Sequence, residues 1–165
     1  TYLAYAHNTI SIIDMLCFIN YNKFHIPNKK MSELPTTMLK LTSNPRNIAL
    51  VESFIEKVVE RYKIRPDVYG NILISLTEAV NNAITHGNRN DENKTVEIKL
   101  HKKKNNLAIR VSDEGRGFDF KSLPDPTAPE NIMKCGGRGV FLMQQLTDDI
   151  RFDDNGSTVE MHFKI

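Results

Sequence analysis

The sequence predicts an α+β fold: a two-layer α/β sandwich in which helices cover one face of a mixed, mostly antiparallel sheet. Three observations carry that expectation. Apolar residues recur at helical spacing in two consecutive stretches between Asn44 and Gly87. Beyond Asn93 the apolar period changes to two. No β-α-β alternation repeats along the chain, so nothing points to a parallel sheet.

The first thirty residues differ in texture from the rest, being rich in Asn, Ile and Tyr, without glycine, and beginning with Thr rather than Met. Residues 1–30 are therefore expected to be an N-terminal extension of little role, with Met31 as the natural start and 31–165 as the domain. The competing reading makes Ile10, Ile13, Leu16 and Cys17 one face of a short amphipathic helix. Leu39 and Leu41 suit an early edge strand. Asn44-Pro45 is an N-cap followed by proline at the first helical position. Ile48, Val51, Ile55, Val58, Val59 and Tyr62 then mark one buried helical face. Arg65-Pro66-Asp67 breaks the chain and opens a second helix, with Asp67 near its positive end. Val68, Ile72, Leu76, Ala79, Val80 and Ala83 form its apolar stripe, and Gly87 stops it.

Val96, Ile98 and Leu100 alternate with Glu97 and Lys99 as a half-buried strand; Lys102 to Asn106 turns, and Leu107, Ile109 and Val111 return. From Glu114 to about Gly137 runs a long segment holding Pro124, Pro126 and Pro129, of the kind that usually serves function. Arg138 to Leu146 reads as a third helix. Ile150 to Phe152, a turn at Asp154-Asn155-Gly156, and Val159, Met161, Phe163 and Ile165 make a closing hairpin.

Composition narrows the function classes. The 165 residues, 40% hydrophobic and 25% charged, suit one ordinary core and not two. A net charge of +2 lacks the basic excess of a dedicated nucleic-acid binder. Two cysteines make no disulfide framework, so the cytoplasm is the expected compartment. No apolar run approaches the roughly 18 residues of a membrane span.

The chemistry concentrates in three places. On the polar side of the second helix, Asn71, Ser75, Glu78, Asn81, Asn82 and Thr85 share an arc opposite the apolar stripe. Glu78 and Asn82 are four apart and project side by side, a carboxylate and an amide oxygen suited to a general base and a hard-cation ligand. Any amphipathic helix needs a polar face, but paired asparagines are poor helix formers and imply another purpose. Five of the eight glycines fall in two clusters, Asp113-Glu-Gly-Arg-Gly117 and Gly136-Gly-Arg-Gly139. The first follows a strand, placing Asp113 where its carboxyl can accept from an exocyclic amine. The second opens a helix, whose free N–H groups suit phosphate. Together they point to a nucleotide site that is neither a Walker loop nor a dinucleotide fingerprint.

These segments resemble a known family. Glu78-Ala-Val-Asn-Asn-Ala-Ile-Thr-His-Gly-Asn88, Asp113-Glu-Gly-Arg-Gly-Phe118 and Gly136-Gly-Arg-Gly-Val-Phe-Leu-Met143 look like the ordered boxes of the gyrase/Hsp90/histidine-kinase/MutL (GHKL, Bergerat-fold) ATPases. The match is closest to the bacterial RsbW-like anti-sigma-factor serine/threonine kinases, over roughly Met31 to Ile165. The resemblance implies ATP between the helices under a mobile lid, with Glu78 as catalytic base and Asn82 as Mg²⁺ ligand. It implies Asp113 as the adenine contact, Gly115, Gly117 and Phe118 around the base, and Gly136, Gly137, Arg138, Gly139 and Val140 near the phosphates. Asn81 and His86 join the nucleotide-binding set. The implied reaction moves the γ-phosphoryl group of ATP to a serine or threonine of an anti-anti-sigma (STAS-domain) antagonist. The implied partners are that antagonist and a sigma factor held away from RNA polymerase, with the kinase as a homodimer, and with neither nucleic acid nor membrane bound directly.

One departure stands out. Where sporulation kinases of this branch carry an arginine before the second glycine cluster, this chain has Cys135 preceded by Lys134. Lysine offers a point charge rather than a bidentate contact. An ATP-binding module that sequesters a partner without phosphorylating it is therefore the alternative. A histidine-kinase catalytic domain is a third reading, weakened because neither His7 nor His25 lies in a suitable dimerisation helix. His101-Lys-Lys-Lys104 reads as solvated charge at a hairpin tip, and His7, His25 and His162 have no zinc spacing with Cys17 or Cys135.

Overall fold

A computed structural model describes residues 37–123, 126, 128 and 138–165. The readings placed on residues 1–30, Met31, Lys134, Cys135, Gly136 and Gly137 lie outside the described residues. Five strands form one sheet in the order β1-β2-β3-β5-β4. They are β1 (Thr37–Thr42), β2 (Thr95–Lys103), β3 (Asn106–Ser112), β4 (Asp149–Asp153) and β5 (Thr158–Lys164). All four pairings are antiparallel, so the mixed sheet of the sequence reading becomes a wholly antiparallel one among the described residues. The pairs β2–β3 and β4–β5 are joined directly in sequence, whereas β3 and β4, both antiparallel to β5, run parallel to each other with the Arg138–Leu146 helix in the connection between them.

Helix α1 (Ile48–Tyr62) is entered through a 3-10 turn at Pro45–Asn47, where the Asn44 side chain accepts from the Arg46 N–H. Helix α2 (Pro66–Asn82) begins with proline at its first turn and Asp67 beside it, then widens into a π-helical turn over Ala83–Gly87. Helix α3 spans Arg138–Leu146, the limits expected from its pattern. The β2–β3 turn is tighter than expected. The strands run on to Lys103 and resume at Asn106, with Lys104 at φ 51°.

The core lies between the helices and one sheet face. Leu41, Val96, Ile98, Leu100, Leu107, Ile109, Val111, Val159, Met161 and Phe163 meet Val51, Ile55, Val58, Ile72, Leu76, Val80, Ile84 and Met143, all buried. Each such side chain contributes about 1.5–3 kcal/mol by leaving water. Phe54 and Ile84 join this core although the sequence stripes omitted them. Ser75 is a correction: the helical wheel put it on the polar arc, yet it is fully buried and its hydroxyl has no hydrogen-bond partner among the described residues. The α2 arc from Ser75 to Asn82 faces helix α3, which comes close enough for Gly139 to meet both Glu78 and Asn82, and so is not a solvent face. On the open sheet face Arg110 reaches Asp153 (2.8 Å), Glu160 (3.3 Å) and Asp154 (3.5 Å). No described helix is long and apolar enough to cross a membrane.

Candidate functional site

The C-terminal end of α2, the end of β3, the β4–β5 hairpin and the start of α3 enclose a cavity of about 370 Å³. Its wall is mostly apolar: Val111 and Val159 from the sheet, Ala79 and Ala83 from α2, Val140 and Met143 from α3, with Phe118, Leu123 and Phe152. The polar groups on it are few, Asn82, His86, Asp113 and Ser157. A flat apolar slot with a handful of polar groups is what a heteroaromatic ring requires.

Asp113 defines one end. Its backbone N–H donates to the Ser157 carbonyl (3.0 Å), anchoring it to the hairpin. Its Oδ1 accepts from the Gly115 N–H (2.7 Å), and no hydrogen bond to Oδ2 exists among the described residues. The carboxylate packs against Gly87 and Gly115 so tightly that a Cβ on either glycine would collide with it. Burial pushes the Asp113 carboxyl above its ordinary pKa, opposed by the Gly115 N–H and the charge of Lys94. Next to it, exposed Glu114 is held below its ordinary value by the Thr95 hydroxyl and N–H.

Gly117 takes φ +75°, and a side chain there would run into the Asn155 carbonyl of the hairpin turn. The Phe118 N–H donates to that same carbonyl (3.0 Å). Phe118 meets Phe152 edge-on at 5.8 Å, and Phe120 stacks on Phe152 at 4.8 Å. The loop after β3 is thus closed over the slot by backbone pairing plus an aromatic trio.

The other end is set where α3 crosses α2. A Cβ on Gly139 would stand 2.6 Å from Glu78 Oε2 and 3.3 Å from Asn82 Nδ2. The helix start thus sits directly against the carboxylate and the amide one turn apart on α2. No cluster of three or more His, Cys, Asp or Glu able to hold a metal exists among the described residues. An isolated acid–amide pair beside a helix N-terminus is the donor set of a hard cation that arrives with phosphate oxygens rather than of a dedicated cage. The Asn82 amide fits Mg²⁺ in that role, with the Glu78 carboxylate beside it.

Of the residues singled out from sequence, Asn82, His86, Asp113, Gly117, Phe118, Gly139 and Val140 line the cavity. Glu78 and Gly115 are not part of the cavity wall, but each lies against a residue that is, Glu78 against Gly139 and Gly115 against Asp113. Asn81 and Arg138 do not form part of the cavity wall. The sequence reading missed the contribution of the closing hairpin, Phe152, Gly156 and Ser157, and of Met143 and Leu123. Gly156 in a turn was the only local signal, and it served equally well as an ordinary hairpin residue.

Known proteins resemble this chain in sequence and in fold. The family model for the histidine kinase-like ATPase domain matches residues 41–163. Serine-protein kinase RsbW of Bacillus velezensis is 30% identical over 131 residues, covering 74% of this chain and 81% of that protein. RsbW of Bacillus subtilis is 28% identical over 130 residues, with 74% and 81% covered, and RsbW of Listeria innocua 26% identical, with 74% and 83% covered. Among solved structures, the RsbU and RsbW domains of a Mycobacterium tuberculosis protein superpose with a TM-score of 0.58 at 15% identity. That likeness covers 79% of this chain but 32% of the other, so the chain spans about a third of it and the match speaks to fold alone.

Proposed function

Because the chain belongs to the histidine kinase-like ATPase family, within its RsbW-like branch, we propose that it is an ATP-dependent anti-sigma factor. In this reading it transfers the γ-phosphoryl group of ATP to a serine or threonine of a STAS-domain antagonist and otherwise sequesters a sigma factor. The observation that carries the proposal is the two-ended site. A half-buried carboxylate, one oxygen of which has no hydrogen bond among the described residues, lies on the cavity wall at the end of β3, and Glu78 and Asn82 meet Gly139 at the start of α3. Adenine fits the apolar slot, its amino group donating to Asp113 Oδ2. The phosphates then extend towards Gly139 and the first turn of α3, whose dipole favours negative charge.

In that arrangement Glu78 accepts the proton of the incoming hydroxyl, and Asn82 supplies an amide oxygen to the phosphate-bound cation. When bound, Mg²⁺ would neutralise charge on the phosphate oxygens. What remains for the protein is alignment: α2 and α3 hold the acceptor and the phosphates in line, and the Phe118–Phe152 contact keeps water from the base. The names of the similar proteins support the reaction class; the antagonist and the sigma factor are the proposed part.

The test is transfer of label from γ-labelled ATP, with Mg²⁺, to a STAS-domain antagonist. Wild-type protein should label an antagonist serine or threonine. Glu78→Gln should retain ATP binding and lose about 10²–10⁴-fold in transfer rate. Tight ATP binding by the wild type without any transfer would instead establish a binding-only module. Transfer undiminished in Glu78→Gln would remove that residue from the chemistry.

A further inference from the structure

We propose that Asn88 is a positioning residue for base selectivity, setting the direction of the Asp113 carboxylate from behind the nucleotide site; the inference rests on the adenine-end reading above. Asn88 is 1% exposed, among the few buried polar side chains of the described residues, and takes no part in the cavity wall. Its amide is fully used. Nδ2 donates to Ser43 Oγ (2.7 Å) and to the Thr95 carbonyl (2.9 Å), while Oδ1 accepts from the Glu114 N–H (2.8 Å). Its own N–H closes the π-helical turn on the Ala83 carbonyl (2.8 Å). One side chain thus ties the end of α2 to the β1–α1 connection, to the first residue of β2 and to the loop that carries Asp113. Only an amide offers two donors and an acceptor at this length.

The arms do different work. The two Nδ2 bonds join framework to framework, whereas the Oδ1 bond reaches the site. Three successive N–H groups are held there: Asp113 on Ser157, Glu114 on Asn88, and Gly115 on Asp113's own Oδ1. The Glu114 amide is the middle pivot. If its acceptor is removed, that peptide turns to find another, the Gly115 N–H leaves Oδ1, and the carboxyl regains rotation. A carboxylate fixed with Oδ2 outward favours a base presenting an amino group over one presenting a carbonyl. A carboxyl free to rotate does not discriminate between them as sharply.

Three variants separate positioning from stability. Asn88→Ala removes every arm. Asn88→Asp keeps an oxygen acceptor for the Glu114 N–H but loses both donors, and Ser43→Ala removes one framework partner only. Affinities for ATP and GTP are measured by calorimetry with each folded protein, alongside melting temperature and hydrogen exchange at the Glu114 amide. Asn88→Ala should lower the ATP-over-GTP preference by about tenfold, the scale of one unsatisfied or misdirected hydrogen bond, and deprotect the Glu114 amide. Asn88→Asp and Ser43→Ala should melt lower yet keep the preference and the protection. A wild-type ratio in Asn88→Ala, or equal loss of the ratio in all three, overturns the proposal. If Asn88→Ala does not fold, the other two decide by the same criterion: retained preference supports the proposal and lost preference overturns it. Wild-type protein that binds neither nucleotide refutes the proposed function instead. The Glu114 amide then decides for Asn88 alone, protection lost in Asn88→Ala supporting the tether and protection kept overturning it.

Discussion

Gly139→Ala should divide catalysis from stability. The added methyl carbon would lie 2.6 Å from Glu78 Oε2, 3.6 Å from its Cδ and 3.3 Å from Asn82 Nδ2. Ordinary contact lies near 3.5 Å, so the carboxylate must withdraw by just under about an ångström. Glu78 is only partly buried and the contact is with the far end of its flexible side chain, so the displacement is absorbed by rotation rather than by the backbone. Gly139 is the second residue of α3, where exchange for alanine gains up to about 1 kcal/mol of helix propensity. In a chain of this size that raises the melting temperature by at most about 2–4 °C. A misplacement of about 1 Å at a reacting group costs on the order of 10²-fold in rate. The variant should therefore melt at or above the wild type, bind ATP within a few-fold, and transfer phosphate about a hundredfold more slowly. Calorimetry, thermal melts and labelled-phosphate transfer measure the three quantities. Transfer at the wild-type rate would refute the placement of Glu78 against the α3 start. A rate loss matched by a large fall in stability would show that the methyl had damaged packing rather than chemistry.

Two further outcomes follow from the same geometry. Asp113→Asn should raise the melting temperature of the nucleotide-free protein at neutral pH. The folded-state pKa of Asp113 is raised by burial, so its contribution to stability is present below the unfolded carboxylate pKa and is lost as pH rises through the folded value. The advantage of the variant should therefore shrink as pH falls towards the ordinary carboxylate range, and a gain that persists in acid would contradict the assigned cause. Phe163→Ala, buried on the sheet face that meets the helices, should cost about 3–5 kcal/mol, and a midpoint shift in urea of less than half the corresponding value would deny Phe163 that place.

The fold was legible wherever one physical signal dominated. Pro45, Pro66 and Gly87 punctuate the two long helices, and the alternating Val96, Ile98 and Leu100 and Leu107, Ile109 and Val111 mark strands on whose inward faces all six proved buried. Ser75 shows the limit of a helical wheel, which locates a face but not what covers it. Here α3 covers it, and α3 is separated from α2 by more than fifty residues of chain. The strand order β3-β5-β4 was equally hidden, because pairing across the long loop depends on which edge the returning hairpin meets. In the site, Glu78, Asn82 and Asp113 could be read from residue type and spacing. Asn88 could not, since a buried amide with three partners looks in sequence like any turn asparagine. Phe152 and Ser157 could not either, because their part in the wall arises only from the register of β4 on β5.

The precision of the site comes largely from where side chains are missing. Gly87 and Gly115 leave the space that the Asp113 carboxyl fills, and Gly139 leaves the space that Glu78 fills. In each case a polar group stands where a Cβ would otherwise be, and Asp113, enclosed by two such glycines, has lost its room to wander along with part of its water. That is costly for a charge, as the raised pKa of Asp113 records, and the cost is offset by contacts from rigid elements rather than by salt bridges. A carboxylate restrained by backbone has its direction decided before a ligand arrives, which is the condition for discriminating between bases and for aligning a proton acceptor. The same reasoning separates Asp113 from Glu114. The first is confined between glycines and lines the cavity, while the second, one residue later, is exposed and spends its carboxylate on Thr95 at the edge of β2. Exchanging the two residue types would leave composition and charge unchanged but place the longer carboxylate in a space closed by Gly87 and Gly115, and the direction on which base recognition depends would be lost.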